Sequence, residues 1–231
     1  MSYIGQSERA TQKRVIALFR DELGYAYLGD WSDRDGNSNI EQGLLTAYLS
    51  KSGYSAAQIS RALDRLRTEA NNPNRSLYDN NKAVYSLLRY GVPVQAAAGQ
   101  VNETVNLIDW DHPAQNDFAI AEEVTLHGNY ERRPDLVLYV NGIAVGVIEL
   151  KNSRISIGDG IRQNISNQQP EFNEWFFSTV QIIFAGNDSE GLQYGAIKTE
   201  EKYFLKWKEE MCRKDELRAG KHAFSLLFLF C

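Results

Sequence analysis

The segment 134–151, PDLVLYVNGIAVGVIELK, constrains the fold of this chain more than any other. Two runs rich in β-branched and aromatic residues flank Asn141-Gly142, the dipeptide that most readily turns one strand back on its neighbour, so the spacing predicts an antiparallel hairpin. Charge stands only at the far ends of the two runs. Asp135 follows Pro134 at the start of the first, and Glu149 and Lys151 close the second after the apolar stretch Ile143 to Ile148. Unpaired charge is costly to bury, so carboxylates and an amine placed there need a chemical reason.

Two carboxylates and an amine on adjoining strands suit metal-assisted phosphodiester cleavage. Asp135 and Glu149 would hold one or two hard cations such as Mg²⁺, with Mn²⁺ as a substitute, because these ions prefer oxygen ligands. Lys151 would orient a water or stabilise charge growing on the phosphoryl group. Strand alternation points Glu149 and Lys151 the same way and turns Leu150 to the opposite face, leaving its backbone carbonyl as a further ligand. Register decides whether this works. A two-residue turn at Asn141-Gly142 with no irregularity would face Asp135 with Ile148 and separate the carboxylates. The expectation is therefore a three-residue loop with Gly142 left-handed, pairing Tyr139 with Val145, Val137 with Val147 and Asp135 with Glu149, or a bulge elsewhere in the hairpin to the same effect.

The remainder reads as an α/β chain (mixed α+β) whose first ninety residues are helical. Ser7 is a cap for a helix closed by Gly24, with Glu8 and Gln12 one turn apart on one face. Further helices are expected over 39–51, 55–69 and 77–90, the last two rich in arginine (Arg61, Arg65, Arg67, Arg89). Between Tyr90 and Glu131 there is no Lys or Arg but seven acids, read as a solvated sheet edge that could also repel DNA. After the hairpin a helix is expected over 156–174, interrupted by Pro170, then strands at 180–185 and 192–197 and a polar helix over 200–211 containing Trp207. No repeat or low-complexity linker divides the chain.

With 25 basic against 30 acidic residues, the net charge of −5 excludes a protein that coats nucleic acid by bulk positive charge, so DNA contacts must be local. Arg132, Arg133, Arg154 and Arg162 flank the proposed site and are the candidates for phosphate contact. The apolar segment Phe224 to Phe230 is far shorter than the roughly 20 residues of a membrane helix, and the start of the chain reads as no signal peptide, so a cytoplasmic location is expected. His112, His127 and His222 form no ligand pair, Cys212 and Cys231 no metal or disulfide framework, and the four tryptophans read as core or interface aromatics.

The stretch 132–152, RRPDLVLYVNGIAVGVIELKN, resembles the PD-(D/E)xK nuclease core at the N terminus of the R subunit of type I restriction enzymes. The likeness extends to the opening helix, SERATQKRVIALFRDELGYAY, and to 186–207, GNDSEGLQYGAIKTEEKYFLKW. It implies a restriction-endonuclease-like core, a central mixed β-sheet flanked by helices, with a helical N-terminal region, forming one nuclease domain over 1–231 with its sheet core at about 91–211. It implies that Asp135 and Glu149 bind divalent metal, that Lys151 is catalytic, and that Glu8 is the first-helix acid that completes the metal site. Related nucleases carry Gln-x-x-x-Tyr on the helix after the core. Gln163 matches the glutamine, and Asn167 stands where the tyrosine would be.

The resemblance further implies double-stranded DNA as substrate, methylation and specificity subunits as partners, and ATP used only by motor domains that this chain lacks, since it holds no Gly-x-x-x-x-Gly-Lys-[Ser/Thr] loop. A fragment of a longer subunit is the expectation. Two other readings compete: a stand-alone repair or junction nuclease of the same superfamily, and a catalytically idle docking module.

Overall fold

The computed structural model describes residues 7–95 and 101–208. In chain order these form α1 (Glu8–Ala17), prolonged by a π turn (Leu18–Glu22), β1 (Ala26–Asp30), α2 (Gln42–Lys51), α3 (Ala56–Ala70), α4 (Leu77–Tyr90), β2 (Val92–Gln95), β3 (Asn102–Val105) and β4 (Phe118–Glu122). The hairpin strands β5 (Leu136–Val140) and β6 (Ile143–Leu150) follow, then α5 (Ile157–Asn167), a 3-10 turn (Glu174–Ser178), β7 (Ile182–Asn187), β8 (Gly191–Gly195), a second 3-10 turn (Glu201–Tyr203) and β9 (Leu205–Lys206).

Seven strands make one mixed sheet in the order β1-β4-β5-β6-β7-β8-β9, and β2 and β3 form a separate antiparallel pair. The β1–β4 and β6–β7 pairs are parallel, and the other pairs of the large sheet are antiparallel. The hairpin is the centre of the sheet and is buried throughout. Its alternating side chains feed two cores. Leu136, Leu138, Ile148 and Leu150 pack with α1 to α4 on one face, while Val137, Tyr139, Ala144 and Val147 pack with α5 and the 174–178 turn on the other. This is the α/β architecture with a central mixed sheet flanked by helices, consistent with a restriction-endonuclease-like core.

Local chemistry sets the helix ends. Ser55 and Gln58 make a reciprocal capping box on α3, Ser76 caps α4 and Ser156 caps α5. Ser7 contributes only its backbone carbonyl, which accepts from Ala10 and Thr11.

Four expectations are corrected. The first ninety residues are not all helical, because β1 pairs parallel with β4 at the sheet edge. The acidic stretch is not one sheet edge: β4 sits between β1 and β5 and Glu122 at its end is buried, whereas Glu103, Asp111, Asp117 and Glu131 are exposed as expected. The helix expected to reach 174 ends at Asn167, three residues before Pro170. No helix spans 200–208. Buried Phe204 packs under Gly195, where an added Cβ would lie 3.1 Å from the ring, and Leu205–Lys206 pairs with β8, so tertiary pairing overrides local propensity. The end of that expected helix, with Cys212, His222 and the apolar segment 223–231, lies outside the described residues. Among the described residues no helix is long and apolar enough to cross a membrane.

Candidate active site

The site is built at the open end of the hairpin. At the turn Asn141 (φ 52°) and Gly142 (φ 83°) are both left-handed, and Val140 pairs with Ile143 and Tyr139 with Ala144. The loop thus has two residues, the tight form that on its own would split the carboxylates. A bulge restores them. Beyond Tyr139 the register shifts, Leu138 pairs with Gly146 and Val137 with Val147, and Val145 is the extra residue. The expected Tyr139–Val145 pair is therefore replaced by Tyr139–Ala144, while Leu136 opposite Ile148 makes Asp135 and Glu149 the next facing pair.

The tight turn is held by burial. The Asn141 side chain, fully buried, donates to the Leu107 carbonyl and Asn116 Oδ1 at 2.8 Å each and accepts from the Asp117 N–H at 2.7 Å. Gly142 lies against α2, and an added Cβ would sit 2.6 Å from Leu44 Cβ.

Asp135 Oδ2 accepts from the Leu150 backbone N–H at 2.6 Å, which locks the aspartate across the ladder. Lys151 Nζ lies 3.2 Å from Glu149 Oε1. Glu149 is 1% exposed, and its Oε2 is buried with no hydrogen-bond partner. Burial, then repulsion from Asp135, pushes the Glu149 carboxyl up to about 8 despite Lys151. Burial likewise raises Asp135 to about 6, opposed by the Leu150 N–H and Lys151 and assisted by Glu8 and Glu123. For Lys151 burial acts downward, but Glu149, Asp135 and Glu8 together outweigh it and hold the ammonium above its ordinary value. Two acids and a committed cation therefore share a nearly dry end of the sheet.

The surrounding elements approach closely. α5 crosses this face at Gly160, where an added Cβ would stand 3.4 Å from Lys151 Cγ and 3.7 Å from Glu149 Cγ. Gln163, half-buried, follows one turn later on α5. Asn167 is buried with neither side-chain polar atom bonded, so the position expected for tyrosine is turned inward rather than offered to the site. Glu8, on the first turn of α1, is close enough to raise all three central groups.

A supporting network beside the site escapes sequence reading. Gln12 Nε2, on buried Gln12, donates to Glu122 Oε2 at 2.9 Å and Glu123 Oε1 at 3.1 Å. Tyr27 on β1 donates to the other Glu122 oxygen, and burial with that carboxylate pushes its hydroxyl up to about 12. Glu123 has a left-handed backbone (φ 51°) and donates its N–H to the Asp135 carbonyl at 2.9 Å. The i, i+4 pair Glu8 and Gln12 is the available signal, but nothing in the sequence ties it to Glu122 and Glu123.

The four candidate arginines differ in what holds them. Arg133 Nε pairs with Glu123 at 3.0 Å, and Arg162 pairs with Asp159 at 2.6 Å and Glu201 at 2.5 Å. Arg132 lies with its guanidinium carbon 3.9 Å from the centre of the Phe172 ring. Arg154 is exposed and makes no ion pair among the described residues. His112 and His127 sit beside Asp109 and Glu131 at the surface, each paired with its own acid rather than with a shared ligand set.

The residues fit a hard divalent cation. Glu149 Oε2 is a buried oxygen acceptor without a partner, Asp135 stands opposite it, and hard cations prefer carboxylate oxygens. Among the described residues no three His, Cys, Asp or Glu side chains already converge with metal-ligand spacing. The carboxylates available to such an ion are Asp135 and Glu149, and the Leu150 side chain between Glu149 and Lys151 packs into the core on the α1 face.

Comparison with known proteins gives the family. The family model for the type I restriction enzyme R protein N terminus matches residues 5–202. The chain belongs to this family. Its relatives include the type I restriction enzyme HindI endonuclease subunit of Haemophilus influenzae, 28% identical over 134 residues (55% of this chain, 12% of the relative). Two Methanocaldococcus jannaschii proteins bear the names of the putative MjaIXP and MjaVIIIP type I endonuclease subunits. They are 24% identical over 146 residues (57% of this chain, 14% of the relative) and 32% identical over 125 residues (51% and 12%). This R-protein N-terminal chain thus spans about an eighth of the length of the relatives it matches.

Proposed function

We propose that this chain is the Mg²⁺-dependent endonuclease module of a type I restriction enzyme R subunit and hydrolyses phosphodiester bonds of double-stranded DNA. The observation that carries the reading is the buried Asp135 and Glu149 pair beside the Lys151 ammonium, with one Glu149 oxygen unpartnered. Asp135 and Glu149 would hold the cation, with the Leu150 carbonyl and Glu8 as further oxygens. When bound, such an ion supplies Lewis acidity, making water acidic enough to attack and offsetting charge on the phosphoryl oxygens.

The chain's own groups do the rest. The Leu150 N–H fixes one Asp135 oxygen, which leaves the other for the cation. Lys151, kept protonated by its acidic neighbours, places positive charge where the phosphoryl group gains negative charge. Gln163 offers an amide able to donate and accept. Arg132, Arg133, Arg154 and Arg162 would contact phosphates of the bound duplex. In the full-length subunit, in the cytoplasm, cleavage would be coupled to ATP-driven translocation by motor domains outside this chain and directed by specificity and methylation subunits.

The test is Lys151→Ala in the reconstituted complex. The nuclease reading expects DNA cleavage to be lost while folding, ATP hydrolysis and complex assembly persist. Undiminished cleavage would instead favour an idle docking module.

A further inference from the structure

Arg132 is held differently from the other basic residues at the site. Its backbone is pinned to Leu126 by a reciprocal pair of bonds, its N–H donating to the Leu126 carbonyl at 3.1 Å and its carbonyl accepting from the Leu126 N–H at 2.8 Å. Its guanidinium lies over Phe172 at 3.9 Å, and the Phe172 ring is in turn 5.7 Å from that of Tyr130, which is 62% exposed. The loop 127–131 is seated on the 172–173 turn at Gly128, where an added Cβ would meet the Phe172 carbonyl at 2.5 Å and Asn173 Nδ2 at 2.9 Å. Only glycine permits that approach.

Arg132 Nε is buried and unpartnered, and no carboxylate pairs with Arg132 among the described residues, whereas Arg133 and Arg162 are both neutralised by acids. Stacking fixes the plane of a guanidinium without consuming its N–H donors, and a fixed fork of donors matches the oxygens of a phosphodiester. Arg132 lies three positions before Asp135, with Arg133 and Pro134 between them, at most about 10 Å of chain, which corresponds to roughly three base-pair steps of ~3.4 Å along the duplex axis.

We propose that Tyr130 and Phe172 form an aromatic shelf that presents Arg132 to one backbone phosphate of duplex DNA flanking the scissile bond. Arg132 is then a binding residue and Phe172 a positioning residue acting through it. The inference rests on the nuclease reading above, and deepens it by naming which arginine is pre-organised and by what.

The test uses the whole chain and a fluorescently labelled DNA duplex, with binding followed by polarisation from 50 to 200 mM KCl in Ca²⁺ to suppress cutting. Arg132→Ala is expected to weaken binding ~10-fold, as for a lost charge-assisted contact, and to reduce the log–log salt slope by about 1. Phe172→Leu keeps an apolar side chain but removes the π face, and is expected to weaken binding ~3-fold with little effect when Arg132 is already Ala. Phe172→Tyr should restore wild-type affinity. Equal affinity and slope in wild type and Arg132→Ala, or additive losses in the double variant, would overturn the shelf while leaving the nuclease reading intact. Absence of any duplex binding by the wild-type chain would overturn both.

Discussion

Replacing Glu149 by Gln should stabilise the metal-free protein at alkaline pH. Glu149 is almost wholly buried, and its folded pKa is pushed up to about 8 from 4.5. A carboxyl raised on folding contributes full stability below its unfolded value and loses it as pH climbs through its folded value. The window is therefore pH 4.5 to 8, and at about 1.4 kcal/mol per pKa unit the loss across it is on the order of 4 kcal/mol. Asp135, raised to about 6 from 3.8, adds a smaller loss in the lower part of the same window. The substituted amide keeps the shape of the carboxyl and carries no charge, so the pH-dependent loss at this position disappears.

Thermal melts by circular dichroism in EDTA at pH 5 and pH 8 read this directly. For a chain of this size ~1 kcal/mol corresponds to roughly 2–4 °C in Tm, so Glu149→Gln should match wild type at pH 5 and exceed it by about 10 °C at pH 8. Parallel pH curves for the two proteins would refute the reasoning, because they would mean that Glu149 ionises without cost in the folded chain.

Other perturbations have defined outcomes. Gly142→Ala puts a Cβ 2.6 Å from Leu44 Cβ at φ 83°, and should cost about 2–4 kcal/mol by urea denaturation, well beyond a typical surface change. Gly160→Ala places a Cβ 3.3 Å from Ala185 Cβ and 3.4 Å from Lys151 Cγ, so α5 must shift by a few tenths of an ångström; folding should persist while cleavage in the reconstituted complex falls about tenfold. Gln12→Leu leaves Glu122 and Glu123 without their shared donor and should destabilise the chain by about 1–3 kcal/mol, again by urea denaturation.

The hairpin and the charges at its ends are readable because they break a pattern: Glu-x-Lys closes an apolar strand whose partner opens with Pro134-Asp135. Whether those charges meet is not readable from the turn. Asn141 and Gly142 do form the two-residue loop their types favour, and the bulge at Val145 that corrects the register lies in a run of Ala, Val and Gly with no local signature. β1 escapes sequence reading because five mostly exposed residues at a sheet edge carry no alternation, and gain their pairing only from β4. The polar composition of 200–208 suits a helix, while a single buried ring, Phe204, and pairing with β8 draw the segment extended. The helices with hydroxyl caps and strong apolar spacing, α3 and α4, lie within a residue or so of their expected ends. Contacts such as Gln12 with Glu122 join residues 110 positions apart, and no local rule reports them.

Calorimetric titration of the metal-free chain with Mn²⁺ tests the central claim most directly, with Asp135→Ala titrated beside it at the same pH. Saturable binding by wild type, at least ~10-fold weaker in Asp135→Ala and accompanied by proton release as Glu149 ionises, is the expected result. Identical isotherms for the two proteins, or no binding by either, would contradict the assignment of the Asp135 and Glu149 pair as the seat of a divalent cation.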